Sequence, residues 1–361
     1  MKKLLLIFLT FSLFGCTPKE ETLETFSNIT VTAGFDTYFS LQVATTSQEE
    51  FSAYFSEAVD DFTNFNNLFD IYNTSSEINN LKSINDQAGI QPLEVDQSLI
   101  DMLLMAKNFH DLSNGGFDIT IGAVLQVWHR YREQNDGSIP SIEEIQAAQA
   151  CTGWEYVEID DDANTVFITN PCVSLDVGGI AKGFATEEIA QELIAKDVAM
   201  AVVDAGGNNR IINSKLDGTD WRVGIQNPDA GGSLLVVSQS GSTSFVTSGD
   251  YQRFFIGADG IRYHHIIDPK SGYPANYFRS VTIITENSAI ADAFSTLLFT
   301  QSYEDGIALV QEYNETHLDD PISVIWVVDI QNKIDNVLSL DTQNYQCIYT
   351  EDLEGKIEVV Q

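Results

Sequence analysis

Between Ala201 and Ile284 the chain runs as short apolar stretches cut by Gly, Asn and Asp turns, and on either side lie segments with helical spacing. A strand-rich centre flanked by helices restricts the chain to few layered architectures. Gln97 to Leu112 reads as a helix ended by Asn114-Gly115-Gly116, Ile142 to Ala150 as a shorter one, and Ile180 to Lys196 and Ser288 to Phe299 as two more. Glu49 to Leu81 is helical with an interruption near Tyr72-Asn73-Thr74-Ser75-Ser76. Gly34 to Ala44 alternates as a strand. Trp154–Ile159 and Val166–Leu175 read as strands around an Asp160-Asp161-Asp162-Ala163-Asn164 turn. The last 60 residues mix helix and strand. Neither repeat nor linker interrupts residues 30–361, so one α+β domain is expected, and a hydrophobic fraction of 43% suffices for its core.

Ahead of that domain Lys2 and Lys3 precede an apolar run from Leu4 to Phe14, too short to span a bilayer, which needs about 20 apolar residues. It reads as the start of a secretory signal. Leu13-Phe14-Gly15-Cys16 resembles the lipobox of bacterial lipoproteins, with Cys16 the lipidated residue; the alternative is an ordinary signal peptide with an incidental cysteine. Residues 1–16 are therefore expected to be a signal and 17–29 a polar tether, leaving an extracytoplasmic, lipid-anchored domain. The balance of 18 Lys+Arg against 53 Asp+Glu gives a net charge of −35 and excludes nucleic acid as a partner, because a polyanion is repelled and no basic stripe is present.

Several chemistries are missing. The five histidines form no His-Glu-x-x-His, no Cys-x-x-Cys pair exists, and neither a Gly-x-Ser-x-Gly elbow nor a Walker A or Gly-x-Gly-x-x-Gly loop occurs. Four other clusters carry chemistry. In Ser174-Leu175-Asp176-Val177-Gly178-Gly179-Ile180-Ala181-Lys182-Gly183 a strand enters two glycines that open a helix with Lys182 in its first turn, a place where anions are attracted. In Ala291-Asp292-Ala293-Phe294-Ser295-Thr296 a carboxylate and a hydroxyl at i and i+4 share one helix face and suit an oxygen-loving ion such as Mg²⁺. The others are Ser248-Gly249-Asp250-Tyr251-Gln252-Arg253 followed by His264-His265-Ile266-Ile267-Asp268-Pro269, and Gly115-Gly116-Phe117-Asp118. Each alone also reads as ordinary structure: a strand-to-helix turn, a helix with a back-bonded Thr, a satisfied histidine, a helix C-cap.

Taken in order, Asp-x-Gly-Gly-Ile-Ala-Lys-Gly, Asp204-Ala205-Gly206-Gly207-Asn208, Ser-Gly-Asp-Tyr-x-Arg, His-Ile-Ile-Asp-Pro-x-x-Gly and Ala-Asp-Ala-x-Ser-Thr resemble the motifs of the ApbE family, bacterial FAD:protein FMN transferases once called thiamine biosynthesis lipoproteins. The resemblance covers roughly residues 30–315, includes a Tyr-x-x-x-Ser-Glu-Ile segment at Tyr72–Ile78, and leaves 316–361 unplaced. It implies that FAD is split at its pyrophosphate, FMN passes to a Thr or Ser hydroxyl of a target flavoprotein, and AMP leaves. It further implies that Asp292, Thr296 and the main-chain oxygen of Gly179 hold Mg²⁺ and that Lys182 contacts FAD. Tyr72, Gly116, Phe117, Asp118, Ile266 and Ile267 then belong to the flavin and adenosine pocket, and His265 helps deprotonate the acceptor hydroxyl.

The family's early Met-Gly-Thr reads here as Phe35-Asp36-Thr37, and no acceptor pattern Asp-x-Ser/Thr-Gly/Ser-Ala-Thr is present, so the chain should not be its own substrate. Two alternatives stay open, a Mg²⁺-dependent FAD pyrophosphatase and a flavin-binding lipoprotein without turnover. A separate expectation comes from the hairpin around residues 160–164. Pairing about that turn sets residues whose numbers sum to about 323 or 324 across from each other, which makes Cys151 and Cys172 neighbours able to form a disulfide or to pack as free thiols. Cys347 would be the odd thiol out.

Overall fold

Phe245 and Val246, neighbours on one strand, lie in different hydrophobic clusters on opposite sides of a sheet, and that alternation organises the molecule. The computed structural model describes residues 22–229 and 231–360, so the signal segment and Cys16 lie outside the described residues. Nine strands form the main sheet, every neighbouring pair antiparallel, in the spatial order 24–30, 39–45, 201–205, 208–212, 243–249, 280–285, 323–329, 345–349, 339–341. Eight helices are described: α1 (Gln48–Phe69), α2 (Leu81–Asp86), α3 (Gln97–Leu112), α4 (Gly122–Gln134), α5 (Ile142–Gln149), α6 (Ala181–Ala195), α7 (Ser288–Phe299) and α8 (Tyr303–Thr316). With the main antiparallel sheet they make a mixed α+β fold.

One face of the sheet packs Val246, Val281, Ile283, Val324 and Trp326 against α3, α6, α7 and α8. The other sets Phe245, Ile284, Ile325 and Val327 against a three-stranded sheet built from Trp221–Gln226, Ser233–Gln239 and Ile357–Val359. The segment after residue 316, which no motif placed, thus supplies three main-sheet strands and one of the covering sheet. A smaller cluster joins α4 and α5 to Phe255 and Ile267.

Four expectations need correction. Residues 24–29, assigned to the tether, form with Thr30 an edge strand paired along its length with Phe39–Thr45. Its side chains are mostly exposed, so backbone pairing rather than an apolar alternation holds it, although Phe26 stacks on Phe51. Phe39, not Gly34, begins the next strand, because Gly34, Phe35 and Asp36 all take positive φ. Helix α4 carries no side-chain N-cap and was not anticipated. The 157–168 hairpin is shorter than expected and pairs Val157 with Ile168 and Asp160 with Thr165, a sum of 325. Cys151 and Cys172 lie beyond its strands, yet the turns after α5 and after Ile168 bring their Cα atoms to 5.2 Å and the disulfide is formed. Cys347 is buried and free.

Candidate active site

Segment 174–183 enters the site from a short bridge to the start of α4: Gly122 N–H donates to Ser174 O at 3.0 Å and Asp176 N–H to Ile119 O at 2.8 Å. Asp176 Oδ1 then accepts from Gly178 N–H at 2.9 Å, which turns the chain into α6. No side chain caps α6 locally. Asp292 of α7 does so from outside, its Oδ2 accepting from Gly183 N–H at 2.8 Å. The helices can approach this closely because residue 183 is glycine: a Cβ there would lie 2.4 Å from Asp292 Cβ and 2.5 Å from Ser288 O.

Four further oxygens converge beside Asp292. Thr296 Oγ1 is 3.5 Å from Gly179 O and 3.4 Å from Ser248 Oγ, which is 2.8 Å from Ser295 Oγ. The second oxygen of the buried Asp292 carboxylate receives no hydrogen bond from the described residues. Among the described residues no group of three or more His, Cys, Asp or Glu side chains is arranged to hold a metal. The donor set is instead one carboxylate, a carbonyl and hydroxyls, all oxygen. That chemistry fits Mg²⁺, which takes one or two carboxylates and keeps other positions for water or phosphate.

The adjacent histidines do different work. His264 is buried and spends both ring nitrogens on the fold, Nε2–H donating to Ala275 O at 2.6 Å and Nδ1 accepting from Ile266 N–H at 3.2 Å. Ile266 and Ile267 anchor in two separate clusters, so their side chains fix the backbone around His265 instead of lining an open face. His265 keeps a shielded Nδ1 with no partner. Burial, then the neighbouring His264 ring and the charges of Arg253, Lys182 and Arg132, push its pKa down to about 3, so the ring is neutral near pH 7.

Lys182 lies in the first turn of α6 as expected. Arg132 and Arg253 are site residues that motif reading missed. Arg253 stood inside a quoted motif without a role; Arg132 sits on the unanticipated α4. Arg253 lies 3.7 Å from Asp36. Tyr72 is exposed, held by an Asp70 turn, and its ring lies tilted against His129 of α4 with centroids 5.6 Å apart. Partial shielding of the phenol end of this otherwise exposed ring, then the Asp176 charge, raises its pKa, consistent with a place beside the same segment.

Gly116, Phe117 and Asp118 sit behind this group. Phe117 is core, packed on Phe109, and its ring edge would lie 3.2 Å from a Cβ at Gly179. Asp118 Oδ1 is taken by Thr120 N–H and Oγ1, at 2.8 and 2.7 Å. A Cβ on Gly116 would collide with Gln301 Nε2 at 2.4 Å. Phe117 and Gly116 therefore pack against Gly179 and the end of α7 from the interior, while Asp118 holds the turn at Thr120. Asp250 joins a separate network, receiving Arg279 Nε at 2.8 Å and Arg262 Nη1 at 3.2 Å. The Asp204–Asn208 motif is a tight turn in which Thr37 Oγ1 would sit 1.9 Å from a Cβ at Gly206.

A family model described as the ApbE family matches residues 35–318. The FAD:protein FMN transferase of Treponema pallidum (strain Nichols) is 36% identical over 249 residues, covering 64% of this chain and 68% of that protein. That of Klebsiella pneumoniae (strain 342) is 33% identical over 231 residues, covering 63% and 70%. Among solved structures, the ApbE protein of Thermotoga maritima superposes with a TM-score of 0.72 at 30% identity over 84% of this chain and 94% of that one. The flavin transferase ApbE of Vibrio cholerae shares the fold, with a TM-score of 0.73 at 24% identity over 92% and 99%. Motif order, a match over most of the chain and a common architecture converge on one conclusion: the chain belongs to the ApbE family.

Proposed function

We propose that the protein transfers FMN from FAD to a Thr or Ser hydroxyl of an acceptor flavoprotein and releases AMP, using Mg²⁺. One observation carries the reading: Gly179, Asp292 and Thr296 present a carbonyl, a carboxylate and a hydroxyl at the start of the helix that carries Lys182, whose charge reaches the neutral His265. Phosphoryl-type transfer needs charge neutralisation and positioning more than covalent help. Gly179 O, Asp292 and Thr296 would hold the ion, which would neutralise charge on the diphosphate. Lys182 binds the same diphosphate, and Tyr72, exposed beside His129, offers a ring face to the dinucleotide. His265 accepts the acceptor's hydroxyl proton as its oxygen bonds to the FMN phosphorus; the bond from that phosphorus to the AMP oxygen breaks, and AMP carries the electron pair away. Negative charge on the bound diphosphate opposes the cations that depress His265, and raises its basicity to the extent that Mg²⁺ leaves that charge uncancelled at the ring.

We place the reaction outside the cytoplasm, with the chain anchored through a lipid on Cys16. The supports are the Leu13-Phe14-Gly15-Cys16 sequence and the Cys151–Cys172 bridge, which suits an oxidising compartment. No helix among the described residues is long and apolar enough to cross a membrane. Incubation with FAD and Mg²⁺, with and without an acceptor domain bearing the Thr/Ser pattern, tests the activity. Covalent flavin fluorescence on the acceptor is expected; free FMN and AMP regardless of acceptor identify a pyrophosphatase, and unchanged FAD rejects turnover. Asp292→Ala should abolish Mg²⁺-dependent transfer while Thr296→Ala weakens it less, since only the carboxylate is charged. Equal activity of Asp292→Ala and the parent at saturating Mg²⁺ rejects the metal assignment.

A further inference from the structure

In a chain with so many carboxylates a cation without one needs a reason. Among the described residues ten of the fifteen Lys and Arg side chains lie within 4.0 Å of a carboxylate oxygen. Of the other five, Lys270 and Lys356 are exposed to water and Lys215 lies over the Trp221 ring. The remaining two, Arg132 and Lys182, are half-buried, and both charges bear on His265. Neither has a carboxylate within 4.0 Å among the described residues; Glu133 and Asp176 attract Arg132 only from farther off, so its half-buried charge is incompletely compensated and a bound anion would complete the compensation.

Arg132 is also held in place. Its Nη2 donates to His129 Nδ1 at 2.7 Å. A guanidinium can only donate, so Nδ1 is the acceptor and the ring proton is on Nε2, which faces Glu133 Oε1 at 3.2 Å. The His129 ring also lies tilted against Tyr72, centroids 5.6 Å apart. The helix carrying both residues is pinned to the site segment through Gly122 N–H to Ser174 O and Gln126 Nε2 to Ser174 Oγ, the latter at 3.1 Å. One guanidinium N–H is thereby spent on orientation and four remain for a ligand. Burial holds the guanidinium pKa below its usual value, and the charge persists at any working pH.

We propose that Arg132, oriented by His129, is a diphosphate-binding residue that works with Lys182 on the dinucleotide. This rests on the flavin-transferase reading for the identity of the ligand, while the anion site itself rests on the unpaired cations. A planar fork suits two oxygens of a diphosphate better than a point charge does.

The test measures equilibrium binding of FAD, ADP and riboflavin to the full chain with EDTA present, so that no turnover intervenes. Arg132→Gln should weaken FAD and ADP by about 10- to 100-fold, the usual loss for a charge-assisted hydrogen bond. Riboflavin, which has no phosphate, should change by less than about twofold. Arg132→Lys should recover part of the loss. His129→Leu should weaken FAD and ADP, whereas His129→Asn, which keeps an acceptor near the position of Nδ1, should restore them. Thermal unfolding of each variant is compared with the parent, and Arg132→Lys carries the test if Arg132→Gln fails to fold. FAD and ADP affinities untouched by Arg132→Gln, or riboflavin lost in parallel, overturn the proposal. A parent that binds ADP through Arg132 but no flavin keeps the anion site and rejects the flavin reading. A parent that binds FAD independently of Arg132 does the reverse, and one that binds neither rejects both.

Discussion

His265 shows how one side chain can be a poor base until its substrate arrives. In the ligand-free protein burial and neighbouring cations favour the uncharged ring and push its pKa to about 3. A bound diphosphate adds negative charge that stabilises the imidazolium, and Mg²⁺ opposes it, so the pKa in the complex rises to the extent that the diphosphate lies closer to the ring than the ion does. The pH profiles should separate accordingly. The acid limb of kcat/KM reports the free enzyme and that of kcat the complex. The His265 limb of kcat is therefore expected at higher pH than the limb of kcat/KM, and His265→Gln should remove it while lowering kcat by about 10²- to 10⁴-fold. The depressed pKa also acts on stability. An unfolded histidine titrates near 6.5 and binds a proton that the folded ring refuses, so stability falls as pH drops from about 6.5 toward 3. Coincident acid limbs for the two kinetic parameters would show that no net negative charge from the diphosphate reaches His265.

At the scale of elements the site depends on how closely α6 and α7 meet. Gly183→Ala puts a methyl where Asp292 Cβ and Ser288 O already stand, so the helices must separate or the Asp292–Gly183 hydrogen bond must break. A loss of about 1–3 kcal/mol in thermal unfolding is expected from overpacking, with a higher Mg²⁺ requirement for turnover. A variant as stable and as active as the parent at low Mg²⁺ contradicts that coupling. Helices α3 and α7 were legible because their start signals are local, and α6, which has no side-chain cap, because two glycines precede its apolar run. Helix α7 starts where Asn287 accepts from Ala289 and Ile290 N–H groups, and α3 where Asp96 caps Ser98. The oxygens of Asp292 and Thr296 came with them, one turn apart on one face. Helix α4 has no such start, so Arg132 and His129 could not be placed: their role depends on a bridge to Ser174, about 50 residues away in sequence. The edge strand at 24–30 was illegible for a related reason, since backbone pairing leaves no apolar pattern to read. The cysteine pair was anticipated from a hairpin whose true register is one to two residues off, and loop turns outside that hairpin bring the two residues together.

Over the whole molecule, charge is distributed in two ways that act on different steps. The C-terminal strands are tied to the centre through Arg279, whose guanidinium contacts Asp250, Asp229 and Asp329 at 2.8, 2.7 and 3.0 Å; Arg279, then Tyr345, holds Asp229 down to about 2. Pairing of this kind consumes most of the cations, so the long-range field of a −35 molecule is repulsive to an anion such as FAD. Lys182, Arg132 and Arg253 favour the anion only at short range, within the site. Association samples the long-range field, which salt screens over a Debye length of about 10 Å at 0.1 M. Dissociation breaks the short-range contacts. The association rate constant for FAD should therefore rise, by roughly severalfold, between low and physiological ionic strength. The dissociation rate constant should rise as well, because the same salt weakens the cation–diphosphate contacts. This is the reverse of ordinary electrostatic steering, in which salt slows encounter. Stopped-flow flavin fluorescence at several salt concentrations distinguishes the two. An association rate that falls with salt would mean that the three site cations dominate the approach path, and that the acidic surface lies too far from the site mouth to be felt.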